Sequence, residues 1–168
     1  MDISIEDERW VDVDFEALSS KAITGALLHQ GIDADECDLS VLACDDARIA
    51  DLNAEFRGKP TPTNVLSWPA EDLAADSPGA VPAKPEPDFT GEIVLGDIAI
   101  AWETCVREAK EQGKSMHDHV THLIVHGLLH LLGYDHIRDA DATSMERLEV
   151  EILGKLGIDD PYNVEHAP

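Results

Sequence analysis

The segment HGLLHLLGYDH places His126, His130 and His136 at i, i+4 and i+10, with Gly133 at i+7. No other stretch constrains the local fold as tightly. On an α-helix, residues four apart share a face about one turn apart, so His126 and His130 can turn their imidazoles toward one ion. His122 shares that face, but it lies eight residues from His130. That is roughly 12 Å along the axis at ~1.5 Å per residue, too far for one tetrahedral centre with bonds of about 2.0–2.1 Å. A third ligand therefore requires the chain to turn. Gly133 stands where a helix C-terminus favours a left-handed residue, and beyond it His136 can fold back onto the ion. Three protein ligands leave one position open, the arrangement of a catalytic rather than a structural zinc site. The expected ligands are His126, His130 and His136, holding one Zn2+ per chain; imidazole donors also suit other divalent transition metals.

The rest of the chain reads as a mixed α/β (α+β) fold, a small sheet of about four strands packed with about five helices, the metal site lying on a helix and the turn after it. Ile3, Ile5 and Trp10 to Val13 suggest an opening strand. Residues 15–30 read as an amphipathic helix ended by Gly31, and CDLSVLAC as a strand. Asp45 or Asp46 caps a helix carrying Ile49, Leu52 and Phe56 and stopped by Gly58 and Pro60. NVLSW is a short strand, and GEIVLGDIAIA a longer one interrupted at Gly96 and Asp97. Helices are expected over 101–113 and 116–132. A last helix begins near Asp139 or Asp141, with Met145, Leu148, Ile152, Leu153 and Leu156 on its apolar face. Pro78, Pro82, Pro85 and Pro87 punctuate residues 70–90, read as a mobile surface loop inside a single domain spanning 1–168.

Charge and cysteine usage limit the function classes. The formal net charge is −23, a surface that repels polyanions, so any nucleic acid must be held by a local patch. Basic side chains gather in two places, Arg57 with Lys59 and Arg107 with Lys110 and Lys114. Cys37, Cys44 and Cys105 are odd in number and lack CxxC spacing, so free buried thiols in a reducing cytoplasm are expected. No apolar run approaches the ~18 residues of a membrane span, and the acidic N-terminus has no signal-peptide pattern.

The histidine spacing matches the zinc-protease pattern HExxHxxGxxH except that Gly127 stands where the general-base glutamate belongs. A glycine takes no proton, which speaks against ordinary peptide hydrolysis. The string HGLLHLLGYDH instead resembles the signature of the YbeY family of bacterial endoribonucleases. LNAEFRGKPTPTNVLSWP (Leu52 to Pro69) is similar to that family's second motif and GEIVLGDIAI to its third. Two departures stand out: Asn64 sits where many members have Asp, and the Pro-rich segment is longer. The resemblance implies a metal-dependent nuclease that cleaves single-stranded RNA, matures ribosomal RNA at the 3′ end of the small-subunit RNA, and takes part in ribosome quality control. It implies zinc on His126, His130 and His136 and an essential Arg57. It further implies small-subunit ribosomal proteins or an assembly GTPase as partners, with no membrane.

These residues suggest a mechanism in which zinc lowers the pKa of its water from ~15.7 to about 7. His126 is thereby a catalytic ligand. Arg57, an always-charged planar donor, grips the phosphate with Lys59 beside it. Read alone, Arg57 is equally a salt-bridge partner in a carboxylate-rich chain; the resemblance selects the phosphate role. Asp135 either orients a ligand histidine or sits as an exposed turn carboxylate. His122 is read as a core residue or one supporting the site, with contact to substrate or a proton as the alternative, Asp97 as a strand-break or capping residue, and His117 and His119 as facing solvent, where either could help hold RNA. The alternatives are a zinc hydrolase of peptides and a non-catalytic zinc-containing ribosome assembly factor.

Overall fold

The computed structural model describes residues 1–162; residues 163–168 of the expected 1–168 domain lie outside the described part. Four strands, β1 (Asp2–Ile5), β2 (Cys37–Cys44), β3 (Val65–Pro69) and β4 (Ile93–Ala101), form one sheet in the order β1-β2-β4-β3. The first three in that order run parallel, and β3 joins the edge antiparallel to β4. Five α-helices occur among the described residues: α1 (Phe15–His29), α2 (Asp46–Arg57), α3 (Trp102–Gln112), α4 (Met116–Leu131) and α5 (Asp139–Lys155). The expected class and approximate element counts hold.

One expectation is corrected. Trp10 to Val13 is not strand: Glu8–Val13 forms a 3-10 helix capped by the Asp7 side chain and ended at Asp14, whose φ is 50°. The segment offers one buried side chain rather than an alternating set. Trp10 is fully buried, and its indole Nε1–H donates to the Cys44 carbonyl at 2.8 Å, so it plugs the end of the sheet.

The interruption at Gly96 has a specific consequence. The β2–β4 register shifts there, with Asp38 opposite Val94 and Leu39 opposite Gly96. This bulge changes the parity of β4, so that Ile93 and Leu95 before it and Ile98 and Ile100 after it all join the main core. That core lies between the sheet and the helices α1, α4 and α5. A smaller cluster of Cys44, Ile49, Leu66, Ala99 and Ala101 fills the opposite face beneath α2. Cys37, Cys44 and Cys105 are buried and unpaired. No described helix is long and apolar enough to cross a membrane.

Residues 70–90 carry no helix or strand, yet they are tied to the start of α5. Arg138 donates to the carbonyls of Ala75 and Asp76 at 2.8 and 3.1 Å, and the Gly79 N–H donates to Asp141 at 2.8 Å. Leu73 in this segment is buried and packs against Gly133.

Candidate metal centre

The site grows out of α4 and the turn after it. Ser115 caps α4, its Oγ accepting the Asp118 N–H at 3.1 Å, so the helix begins where expected and runs one residue short of the predicted end. At the other end Gly133 adopts φ 99°, and the Tyr134 N–H returns to the Leu129 carbonyl at 3.0 Å. A side chain at 133 would also strike Leu73, whose carbonyl carbon lies 2.7 Å from the position of a Cβ. Glycine is required twice over, by the left-handed turn and by the close passage of the 70–90 segment.

That turn brings His136 back beside the helix. Its ring centroid lies 5.4 Å from that of His126 and 5.1 Å from that of His130. The three histidines each present a ring nitrogen, all within 4.8 Å of one another. Their hydrogen bonds decide which nitrogens are free. His130 Nδ1–H donates to the Tyr134 carbonyl at 2.9 Å, and His126 Nδ1–H donates to Glu149 Oε1 at 2.6 Å. With both protons fixed on Nδ1, each Nε2 carries a lone pair, and these two Nε2 atoms stand 3.0 Å apart. Two facing lone pairs repel unless a cation lies between them. Tetrahedral ligation through bonds of about 2.0–2.1 Å sets adjacent nitrogens roughly 3.3–3.4 Å apart, close to the observed spacing. Burial, reinforced by His126 and His136, pushes the His130 ring pKa down to about 4, keeping the ring in the neutral form a metal requires. The donor set fits a divalent transition metal with one face open.

Glu149 was not anticipated. It projects from α5 with no solvent exposure and accepts from His126 and from the Tyr162 O–H at 2.5 Å, while His122 Nε2 stands 3.3 Å from it and is hydrogen-bonded to the Tyr162 hydroxyl. Burial alone would raise its pKa, but the donors of His122, His126 and Tyr162 around it hold it down at about 2. Its sequence signal was position: four residues after Met145 and three before Ile152, a lone carboxylate on the apolar stripe of α5. His122 thus touches the site through the Tyr162 hydroxyl and Glu149. Together with His126 and Glu149 it also forms a second group of possible ligand atoms.

The remaining candidates separate. Arg57, the last residue of α2, lines the same cleft as the histidines, a cavity of about 680 Å³, and its Nη2–H donates to the Ser67 carbonyl at 3.3 Å. The Gly58 left-handed cap (φ 69°) turns the chain immediately afterwards. Lys59 is exposed beyond that cap and outside the cleft lining. Among the described lining residues Arg57 is the only Lys or Arg, whereas Glu71, Asp72 and Asp135 add carboxylates. Arg107, Lys110 and Lys114 belong to α3 or the turn after it and do not line the cleft. Asp135 holds the backbone rather than the ring of His136: its Oδ1 accepts the His136 N–H at 2.7 Å and stands 3.9 Å from Nδ1. Asp97 is exposed inside β4, just after the bulge.

His119 is a correction. Expected to face solvent, it is 3% exposed, and its Nε2–H donates to Glu108 of α3 at 3.0 Å. Glu108 also accepts from Asn64 Nδ2 at 3.0 Å, so the departure from Asp at 64 supplies a donor where a second carboxylate would repel. His117 is exposed beside Asp118.

Gly127, the departure from the protease pattern, is buried where α4 crosses the sheet. A Cβ there would lie 3.4 Å from Ile98 Cγ2 and from Ser67 Oγ. The position faces strand rather than the open side of the histidines, so a glutamate there would direct its carboxylate at Ile98 and Ser67.

The family model for endoribonuclease YbeY matches residues 2–157. The chain is 64% identical over 165 residues to the endoribonuclease YbeY of Ruegeria pomeroyi, covering 98% of this chain and 99% of that one. It is 48% identical over 164 residues to that of Methylocella silvestris, covering 96% and 85%. The fold is shared with TM1509 from Thermotoga maritima, solved in solution, at a TM-score of 0.55 and 20% identity, covering 99% of this chain and 97% of that one. On its sequence and over nearly its whole length, the chain belongs to the endoribonuclease YbeY family.

Proposed function

We propose that this chain is a zinc-dependent endoribonuclease that cuts single-stranded RNA, with ribosomal RNA at the 3′ end of the small-subunit RNA as its substrate. The observation that carries the reading is the convergence of His126, His130 and His136 in a cleft that also holds Arg57. When bound, a divalent ion supplies a Lewis acid for a phosphoryl oxygen and a lowered pKa for a coordinated water. The chain's own residues do the rest. His126 and His130, locked as Nδ1–H tautomers, present neutral donors and leave one face of the site open. Arg57 has further N–H groups beyond the one given to Ser67, and these are the donors for a non-bridging phosphate oxygen as charge builds on phosphorus. Lys59, exposed two residues beyond Arg57 and outside the cleft lining, is the cation available to a neighbouring phosphate.

Gly127 leaves the helix without the glutamate that serves zinc proteases as general base, and its position faces the sheet, so the peptide-hydrolase alternative lacks the proton acceptor of that pattern. The net charge of −23 favours basic protein partners, in keeping with small-subunit ribosomal proteins and a role in ribosome quality control. An assembly GTPase is a further candidate partner. Three buried, unpaired thiols suit a reducing cytoplasm.

The test compares wild type, His126→Ala and Arg57→Ala on a defined single-stranded RNA and on a peptide, with bound metal quantified. His126→Ala should lose both metal and cleavage. Arg57→Ala should keep its metal and lose about 10²–10³-fold in rate, the cost of removing one preorganised donor. Full cleavage by a metal-replete Arg57→Ala would refute the phosphate role. Metal-loaded wild type that leaves RNA intact would favour the non-catalytic assembly factor.

A further inference from the structure

An ionised carboxylate at the centre of a helix–helix interface costs several kcal/mol to desolvate unless donors replace its water. Glu149 has those donors, yet an apolar residue would continue the Met145–Ile152 stripe without any such demand. Its neighbours are His126 Nδ1 and the Tyr162 hydroxyl, both hydrogen-bonded to it, and His122 Nε2, 3.3 Å away and hydrogen-bonded to the Tyr162 hydroxyl. Two of them line the cleft beside the third, which is a metal ligand on the reading proposed above.

We propose that Glu149 and Tyr162 are positioning residues for the metal: the Tyr162 hydroxyl fixes Glu149, and Glu149 fixes the ring orientation and tautomer of His126. The carboxylate can accept from His126 only if the imidazole proton is on Nδ1, which sends the Nε2 lone pair toward His130. A negative charge one imidazole away from the ion also makes that nitrogen a stronger donor. The Tyr162 O–H occupies Oε2 at 2.5 Å and leaves Oε1 for His126 at 2.6 Å. Tyr162 comes from the chain after α5, where Lys114 Nζ donates to the neighbouring Pro161 carbonyl at 3.4 Å. A segment beyond the motif-bearing part of the chain therefore tunes the centre. The competing assignment makes Glu149, His122 and His126 Nδ1 ligands of a second ion. The His126–Glu149 distance opposes it: 2.6 Å between Nδ1 and Oε1 is a hydrogen bond, well short of the roughly 3.3–3.4 Å that two bonds to one tetrahedral ion impose.

The inference rests on the metal reading but not on the RNA reading, so its test uses Zn2+ alone. Zinc affinity is measured by competition with a chromophoric chelator, with ions counted per chain, for wild type, Glu149→Gln, Tyr162→Phe and the control Glu151→Gln on the exposed side of α5. Glu149→Gln should bind zinc about 10–100-fold more weakly, Tyr162→Phe several-fold more weakly, and the control like wild type. In the zinc-free proteins, ¹⁵N shifts of the His126 ring should show the proton on Nδ1 in wild type and mixed tautomers in Glu149→Gln, a change that loss of packing alone does not produce. Unchanged affinity with an unchanged Nδ1–H in Glu149→Gln overturns the proposal. If that variant fails to fold, unchanged affinity and tautomer in Tyr162→Phe overturn it instead. Two ions per wild-type chain overturn it too, because Glu149 is then a ligand. Wild type that binds no zinc removes the metal reading and this inference together, an outcome visible without any variant.

Discussion

Glu108 accepts from Asn64 on one side and from buried His119 on the other, and the burial of that histidine makes the protein sensitive to acid. Burial pushes the His119 pKa below its ordinary 6.5, outweighing the opposing pull of Glu108. The folded state therefore binds a proton less readily than the unfolded chain. Where the unfolded state holds more protons, stability rises with pH. The His119 contribution is thus full above about 6.5 and drains away as pH falls from there toward the depressed folded value. Urea unfolding at pH 7.5 and 5.5 should show a smaller loss of stability for His119→Gln, which keeps a donor for Glu108 but does not titrate, than for wild type. Equal losses would show that His119 does not report on this window. The residue also marks a limit of sequence reading. His117 and His119 look alike near a helix start, and only the packing of α3 against α4 decides that one faces water and the other Glu108.

Elements were legible where local chemistry dictates them. The alternation of CDLSVLAC, the Asp45 cap, the Gly58 stop and the Gly133 turn each carry their reason in a few neighbouring residues, and β2, α2 and the end of α4 follow. The Glu8–Val13 segment was misread because its shape depends on a distant cavity that Trp10 fills beneath Cys44. Glu149 was overlooked because its partners lie on another helix and after α5. The crossing of α4 over the sheet makes two glycines testable. Gly133→Ala imposes φ 99° on a residue with a Cβ and drives that Cβ into Leu73. It should lower the melting temperature and weaken zinc binding together, since His136 depends on the same turn. Separate changes in the two would mean that the turn does not carry the ligand. Gly127→Glu, which restores the protease string, should unfold the protein more easily by a few kcal/mol, the usual scale for a buried, unpartnered charge in a tight contact. It should show no peptidase activity. A stable variant that cleaves peptides would mean that α4 can rotate its face toward the cleft, contrary to its packing on Ile98 and Ser67.

At the scale of the whole molecule, a net charge of −23 must be reconciled with a polyanionic substrate. The cleft does not escape the general field: Arg57 stands there with Glu71, Asp72 and Asp135, and Lys59 waits outside. Such a cleft attracts a divalent cation and resists RNA, so on the function proposed above RNA would be held chiefly by the ion and by Arg57 and Lys59. This has a measurable signature. Releasing counterions from about two phosphates on a single strand gives a slope of roughly −1.4 in log affinity against log salt. Between 50 and 200 mM salt that slope predicts a fall of about sevenfold. Salt also screens the long-range repulsion between the acidic surface and the RNA, which raises affinity and opposes the fall. Binding of a short single-stranded RNA to zinc-loaded protein should therefore weaken by less than about sevenfold over this range, and Arg57→Ala should flatten the dependence further. A loss of ~30-fold or more would require about as many phosphate contacts again. Those contacts would have to come from cationic side chains outside the cleft, such as the Arg107, Lys110 and Lys114 cluster, which would then lie on the RNA path.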